Sequence, residues 1–333
     1  MLNEAAFRKY LAKNMIGEPE AKSYVKHLKE LQGYLKPGDI DTMAKGTILQ
    51  YTKHLVAKEK NTVLDVLRAL IHYGTFTEKH DYIAEILDVA EAYYAMDTLY
   101  QRVEEHCGIT VRDAVFKDIT IPPLGVDPEP KAEVTKLVMR RLEDSIGEDA
   151  TIALLAPCLH GREVEPALQD HEDLLRLKDI DAFLALKREE MLERIRHHQQ
   201  EGTLEFAQYV DADVVAYIEQ TPTVSPGIRE GTRIINTKIP YQLKQMLTAD
   251  TDQMKRYHIC YCPWVRGAIK NGTEHEISAN FCHCSAGFTM KYWEIVFDQQ
   301  VKVEPIETAL TGALYCKFAV EIPEEYQRHN NSD

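Results

Sequence analysis

Cysteines in two short stretches offer the clearest chemistry in this sequence. His258, Cys260 and Cys262 alternate in HICYCPW, and Cys282 and Cys284 flank a histidine in FCHCSAGF. Thiolate and imidazole groups are ligands that zinc and other thiophilic metals prefer, and two pairs from separate segments can complete a tetrahedral site. Cys-X-Cys is less diagnostic than Cys-X-X-Cys, and buried thiols also serve as small apolar side chains.

The local patterns predict how these thiols are held. The alternation in KRYHICYCPW predicts a strand with His258, Cys260 and Cys262 on one face. Cys282 and Cys284 come just before the helical pattern GFTMKYWEIVFD, where the dipole and free N–H groups of a helix start would lower a thiol pKa.

A C-terminal hairpin adds two candidates. VKVEPIETAL and LYCKFAVEIP alternate as strands around a turn near Thr311 and Gly312, which points Cys316 into the core. Glu307 lies on the apolar face of the partner strand, where a carboxylate needs a cation, a metal or a hydrogen-bond donor; on an edge strand it would simply be exposed.

The candidate metal ligands therefore share this C-terminal region, and we expect zinc, with other thiophilic metals as alternatives. They are Cys260, Cys262, Cys282, Cys284, Cys316 and Glu307. Cys158, in PCLHG with His160, either closes the site from the helical part of the chain or has no role, and Cys107 is expected to be a packing residue.

Apolar spacing predicts helices for most of the remaining chain. In EAKSYVKHLKELQGYL, Tyr24, Leu28, Leu31 and Leu35 share one face, and Gly33, Gly74 and Gly108 are expected at helix ends. Proline and glycine in ITIPPLGVDPEPK predict a linker. We predict an α+β protein with an all-α domain over 1–112, a linker over 113–131, and a helical region plus a cysteine-containing antiparallel-sheet and helix domain over 132–333.

Composition limits the partners. The 39 basic and 53 acidic residues give a net charge of −14, which disfavours nucleic acid and anionic membranes. No apolar run is long enough to cross a bilayer, and the N-terminus lacks a secretory pattern, so we expect a cytoplasmic protein with reduced thiols. The N-terminal helices are the expected surface for a protein partner or a second copy of the chain.

The order CYCPW, FCHCSAGF, helix, VKVEPIETALTGALYCKFAVEIP resembles the 4-vinyl reductase domain, and more closely the L-2-amino-thiazoline-4-carboxylic acid hydrolase-like group. With SIGEDATIALLAPCLHG included, the resemblance covers about 130–323. In vinyl-reductase-like sensors a structural zinc uses an early, a middle and a late cysteine. Cys282 and Cys316 match the first and last, whereas Thr308 or Ala309 replaces the middle one, so Cys284, Cys260 or Cys262 would have to substitute.

The resemblance implies a pocket for a small apolar or heterocyclic molecule. Its expected apolar wall is formed by Tyr241, Trp264, Phe288, Tyr292 and Trp293, although Tyr292 and Trp293 are also typical core residues. Arg256 and Arg266 flank HICYCPW and would bind a carboxylate.

Two functions follow from these residues. The first is a metal-stabilised small-molecule-binding domain; the alternative is a hydrolase of a thiazoline-like ring that uses a cysteine thiolate or metal-bound water. The N-terminal helices also resemble the small helical domain of tyrosine recombinases, which grips DNA, but no recombinase catalytic motif follows them.

Overall fold

The computed structural model describes residues 2–161, 164–205 and 208–327. These residues form two compact units. The first comprises the chain up to Tyr93 together with Pro122–Asp127, and the second comprises Tyr94–Ile121 and the chain from Pro128 onward. The first unit is thus shorter than the predicted domain over 1–112, and it takes in part of the predicted linker.

Five helices build the first unit. They are α1 Glu4–Lys13, α2 Glu18–Leu35, α3 Thr47–Ala57, α4 Val63–Phe76 and α5 His80–Ala90. The predicted apolar face of α2 is confirmed, since Tyr24, Leu28 and Leu31 are buried and Leu35 packs against the same core. Phe7 meets Tyr73 edge-on in that core, with ring centroids 5.5 Å apart.

Helix ends were predicted less well than helices. Gly33 and Gly74 lie inside α2 and α4, because neither helix needs a positive φ at these positions. Gly108 does end a helix, with φ 85°. Apolar spacing predicts one helix over 81–108, but the chain forms two helices there, because the helix breaks over 91–94, where Ala92 has φ 43°.

The other helices and the strands of the described residues belong to the second unit. Its helices are α6 Ala95–Cys107, α7 Ile109–Val115, α8 Pro128–Ile146, α9 Glu148–Leu155, α10 Glu165–Leu177, α11 Ile180–Glu201, α12 Ala212–Gln220, α13 Leu243–Thr248, α14 Asp252–Ile259, α15 Pro263–Asn271, α16 His283–Phe297 and α17 Glu324–Gln327. Its strands are β1 Leu204–Glu205, β2 Gln208–Tyr209, β3 Ile228–Glu230, β4 Arg233–Thr237, β5 Val303–Glu307 and β6 Lys317–Glu321. The predicted α+β class is confirmed. Among the described residues, no helix has both the length and the apolar character needed to span a membrane.

A four-stranded antiparallel sheet, in the order β3-β4-β6-β5, forms the base of this unit. Ile234 of β4 pairs with Val320 of β6, and both side chains face α10, α11 and α16 in one apolar core. The predicted C-terminal hairpin is confirmed: β5 and β6 pair, and Gly312 lies in their connection with φ 93°. Because β5 is an edge strand, a charged side chain on it can reach solvent.

The strand predicted for KRYHICYCPW is wrong. Helix α14 ends at Ile259, Cys260–Cys262 form a connection, and Pro263 begins α15. The alternation spans too few residues to distinguish a strand from two short helices, and proline favours the first turn of a helix. Apolar spacing predicts one helix over LEFAQYVDADVVAYIEQTP, but among its described residues the helix covers Ala212–Gln220, where Asp211 caps the first turn.

A buried cation ties α10, α11 and α16 together. The side chain of Lys187 is 9% exposed, and its Nζ lies 2.7 Å from Asp170, 2.6 Å from Asp173 and 2.9 Å from Glu190. Tyr292 of α16 donates a hydrogen bond to Asp170 at 2.6 Å. Burial lowers the pKa of Lys187, but the hydrogen bonds to the three carboxylates outweigh it, so the pKa lies above the usual lysine value.

We expect Lys187→Met to lower the free energy of unfolding by about 3 kcal/mol, because it leaves partly buried carboxylates without their cation. Denaturant titration at neutral pH measures this. The matched control is Arg196→Met, in the same helix as Lys187. It removes an exposed ion pair with Glu219 of α12 and should lower the free energy of unfolding by less than about 1 kcal/mol.

The pH dependence gives a second readout for the same variant. Arg176 and then Lys187 hold the pKa of Asp173 below its usual value, so this stabilisation is lost as the pH falls. The difference between the native protein and Lys187→Met should therefore shrink below about pH 4. A constant difference across the acidic range would show that Lys187 acts through packing alone.

Candidate metal centre

Two thiols and an imidazole meet where α16 contacts the turn after α9. One ligand atom from each of Cys158, His160 and Cys284 lies within 4.8 Å of the other two. Cys158 and Cys284 are buried, and His160 is half-buried. This group could hold a metal ion.

Cys158 is held in an uncommon backbone conformation. Its φ is 58°, in the left-handed region that few non-glycine residues adopt. Arg102 of α6 supports the turn, since its guanidinium donates to the carbonyl oxygens of Leu154 at 2.6 Å and of Cys158 at 2.8 Å. The turn thereby places Cys158 and His160 on the side that faces α16.

Cys284 reaches this turn because α16 approaches it very closely. A Cβ atom added to Gly287 would lie 1.8 Å from the carbonyl oxygen of Ala156 and 2.6 Å from the backbone nitrogen of Cys158. Gly287 follows Cys284 by three residues, so both lie on the same face of the helix. The backbone N–H of Leu159 donates to the Cys284 sulfur at 3.3 Å. Because glycine has no side chain, α16 can approach the turn closely at Gly287, and this brings the two thiols together.

The pKa values of the two thiols are shifted in opposite directions. A hydrogen bond from the Cys284 thiol lowers the pKa of Cys158, burial opposes this, and His160 reinforces it, so the pKa of Cys158 lies well below the ordinary thiol value. The same hydrogen bond and burial raise the pKa of Cys284. The pair thus releases its first proton easily and holds its second, as strongly interacting acids do.

A cavity of about 330 Å³ borders Cys158 and His160. Pro157, Leu159 and Phe288 supply apolar wall, and the Phe288 and His160 rings lie 5.4 Å apart. Tyr94 and Thr98 contribute hydroxyl groups. Among the described lining residues, the charged ones are Arg102 and Lys291, both cationic.

Cys284 is the one residue of the predicted ligand set that this group contains. In the described part of the chain, no second set of three candidate ligand atoms comes within 4.8 Å of one another. Four of the other cysteines nevertheless lie near each other. Burial raises the pKa of Cys260, and the charges of Cys316, Cys262 and Cys282 raise it further.

The prediction that the start of α16 lowers the pKa of Cys282 and Cys284 is wrong. Cys282 is the N-cap of α16 and Cys284 lies in its first turn, yet both have raised pKa values. Burial raises the pKa of Cys282 to about 12, although the Thr308 hydroxyl opposes the shift. A helix dipole contributes only about 0.3–1 kcal/mol, which loss of water around the thiolate exceeds.

Glu307 and Cys316 both have partners within the protein. Glu307 pairs with Lys317 across the β5–β6 hairpin at 3.1 Å, and its side chain is 42% exposed. Its carboxylate thus finds a cation on an edge strand. Cys316 packs against the core of the sheet, as its alternation predicts.

Phe288 is the predicted pocket residue that lines this cavity. Trp264 and Trp293 are instead fully buried, and Trp293 stacks on Phe297 at 5.2 Å. Tyr241 is also buried, with the Arg266 guanidinium 4.8 Å from its ring centre. These aromatic side chains fill the core of the second unit.

The two arginines expected to bind a carboxylate are engaged within the protein. Arg256 pairs with Glu274 at 2.5 Å. Arg266 is buried and donates to the backbone oxygen of Tyr257 at 3.3 Å. The cationic groups beside the cavity, Arg102 and Lys291, had no distinguishing pattern in the sequence.

We expect Gly287→Ala to lower the free energy of unfolding by about 2–3 kcal/mol, because the new methyl group meets backbone atoms and α16 must shift. Alkylation of Cys284 should become faster in the folded protein as the contact opens. Denaturant titration and mass spectrometry of alkylated peptides measure the two effects.

The matched control is Gly33→Ala in α2, where nothing lies within 4 Å of the added methyl group. It should stabilise the protein by about 0.5–1 kcal/mol, because alanine is the better helix former. Equal effects of the two substitutions would contradict the role assigned to the close contact.

No protein-family model, curated protein or solved structure matches the chain. The basis for inferring a function is therefore the chemistry of Cys158, His160, Cys284 and the cavity beside them.

Proposed function

We propose that this protein binds a zinc ion through Cys158, His160 and Cys284 and a small anionic molecule in the adjacent cavity. The observation that supports this most directly is the convergence of two thiols and an imidazole within 4.8 Å at a cavity wall. The proposal is a metal-stabilised small-molecule-binding protein, with a ligand set that differs from the one expected from the sequence.

The spacing and chemistry of the group suit zinc. A zinc–sulfur bond is about 2.3 Å, so two sulfur ligands of a tetrahedral zinc ion are about 3.7 Å apart. Small side-chain rotations bring atoms that lie within 4.8 Å to that spacing. Two sulfur ligands favour a thiophilic ion over magnesium or calcium. The hydrogen bond from Cys284 and the nearby His160 lower the pKa of Cys158, which favours the thiolate form that metal binding requires.

The cavity supports an anionic ligand. Arg102 and Lys291 bring positive charge to its wall, in a chain whose net charge is −14. Cationic groups inside a concave site attract anions even when the whole protein is acidic. The ring of Phe288 offers a flat apolar surface for the body of such a molecule.

Hydrolysis is the second candidate, and the number of ligands favours it. Structural zinc sites use four protein ligands, whereas catalytic sites use three and leave one position for water or substrate. Bound zinc would supply a more acidic water and polarise a carbon–nitrogen or carbon–sulfur bond of the ligand. A heterocyclic carboxylate also agrees with the thiazoline hydrolase-like resemblance.

Metal analysis tests the proposed site. We expect one equivalent of zinc per chain, and cobalt added in its place should give a thiolate-to-metal absorption band. We expect each of three ligand variants to lower metal affinity by more than about 100-fold, which is the upper end of what lost outer-shell contacts cost. The variants are Cys158→Ser, His160→Gln and Cys284→Ser.

The matched controls are Cys282→Ser and Cys316→Ser, which remove thiols outside the group and should keep the full equivalent. If these two lose the metal while Cys158→Ser retains it, the ions bind at the other cysteines and the proposal fails.

A probe pair tests the cavity and the hydrolytic candidate together. Zinc-loaded protein should bind 2-aminothiazoline-4-carboxylate more tightly than its uncharged methyl ester, and Lys291→Gln should reduce that preference about two- to fivefold, the value of an exposed ion pair. The control is Lys22→Gln, which changes an exposed lysine of the first unit.

A ring-opened product found by mass spectrometry would establish hydrolysis, whereas recovery of the probe unchanged would show that the protein binds it without hydrolysing it. Equal affinity for acid and ester would exclude the anionic preference.

A further inference from the structure

The sulfur atoms of Cys158 and Cys284 face each other across a tight backbone contact. They lie within 4.8 Å, and the Gly287 contact leaves little room for the helix and the turn to separate. A disulfide has a sulfur–sulfur distance of about 2 Å. Side-chain rotation would close this gap, because the backbone of α16 at Gly287, one turn from Cys284, already contacts the backbone of Ala156 and Cys158.

The two cysteines differ in access to the cavity. Cys158 is among the residues that line the cavity, whereas Cys284 is not, and the buried sulfur of Cys284 accepts a hydrogen bond from the N–H of Leu159. A small molecule that enters the cavity therefore meets Cys158 first. This is the arrangement of an attacking and a resolving thiol.

We propose that the metal-free protein reacts with hydroperoxides at Cys158 and closes a Cys158–Cys284 disulfide. The Cys158 thiolate attacks the terminal peroxide oxygen, which breaks the O–O bond and forms a sulfenic acid, and the leaving alkoxide or hydroxide takes a proton from solvent and departs as an alcohol or water. The Cys284 sulfur then attacks the Cys158 sulfur, and the sulfenic hydroxyl leaves with the Cys284 proton as water. The two thiols lose two electrons in total, and the peroxide gains them.

This reaction uses the sulfurs of the proposed metal site, but it does not need the metal. Disulfide and metal exclude one another, because a disulfide sulfur has no thiolate charge to offer a metal. Zinc should protect the pair, and peroxide should lower metal affinity. If the chain binds no metal, the two thiols still react, so the two proposals fail separately.

Peptide mapping of the full chain without reduction tests the inference. After hydrogen peroxide treatment of metal-free protein, we expect the peptides that contain Cys158 and Cys284 to be linked, and dithiothreitol to separate them. In Cys284→Ala the resolving thiol is missing, so dimedone should trap a sulfenic acid at Cys158. In Cys158→Ser, Cys284 should remain alkylatable.

The other cysteines provide the internal control. Cys316→Ser should form the Cys158–Cys284 link like the native chain, and zinc should slow the link at least tenfold in protein that binds it. Peroxide that links Cys260, Cys262, Cys282 or Cys316 while Cys158 and Cys284 stay alkylatable would overturn the inference. Complete recovery of all thiols under conditions that oxidise a free thiol peptide would do the same.

Discussion

The close contact between α16 and the turn after α9 is the constraint on which the candidate site depends. Helix and turn touch through backbone atoms at Gly287, where any side chain would overlap the Ala156 carbonyl. Cys284 lies on the same helix face, so the contact sets how near its sulfur comes to Cys158. Arg102 fixes the other side by donating to two carbonyl oxygens of the turn.

Within the second unit, the pKa of Cys158 is shifted in the opposite direction from those of Cys260, Cys282 and Cys316. Cys158 has a thiol donor and a histidine beside it, and these stabilise its thiolate despite burial. For Cys260, Cys282 and Cys316, burial is the largest influence and raises the pKa. Burial alone makes a thiol inert, and a specific donor is needed to reverse it. Clustering along the chain therefore does not identify the thiol whose pKa is lowered.

Much of the fold follows from local patterns. Apolar spacing predicts the helices of the first unit, and alternation predicts the β5–β6 hairpin, because each pattern extends over enough residues to distinguish the two periods. The connection at Cys260–Cys262 was predicted as a strand because α14 and α15 are short and five alternating residues outweighed Pro263. Short helices held by tertiary contacts leave little periodic signal.

The site was less accessible to prediction, for a physical reason. Cys284 was identified as a candidate, and Cys158 with His160 remained an open alternative. Their meeting depends on a contact between segments about 125 residues apart and on the absence of a side chain at Gly287. Spacing within one segment carries no information about such a contact. The cationic lining of the cavity, from α6 and α16, has the same origin.

The long stretch of chain between the turn and α16 has a consequence for the order of events after synthesis. Cys158 and His160 emerge long before Cys284, and two ligands on a short turn are a weak chelate on their own. The proposed three-ligand site would therefore be complete only after α16 is made and docked, so metal occupancy would report a finished second unit. Under the proposal, an unfinished or opened chain would release its ion, and metal retention would be a check on assembly.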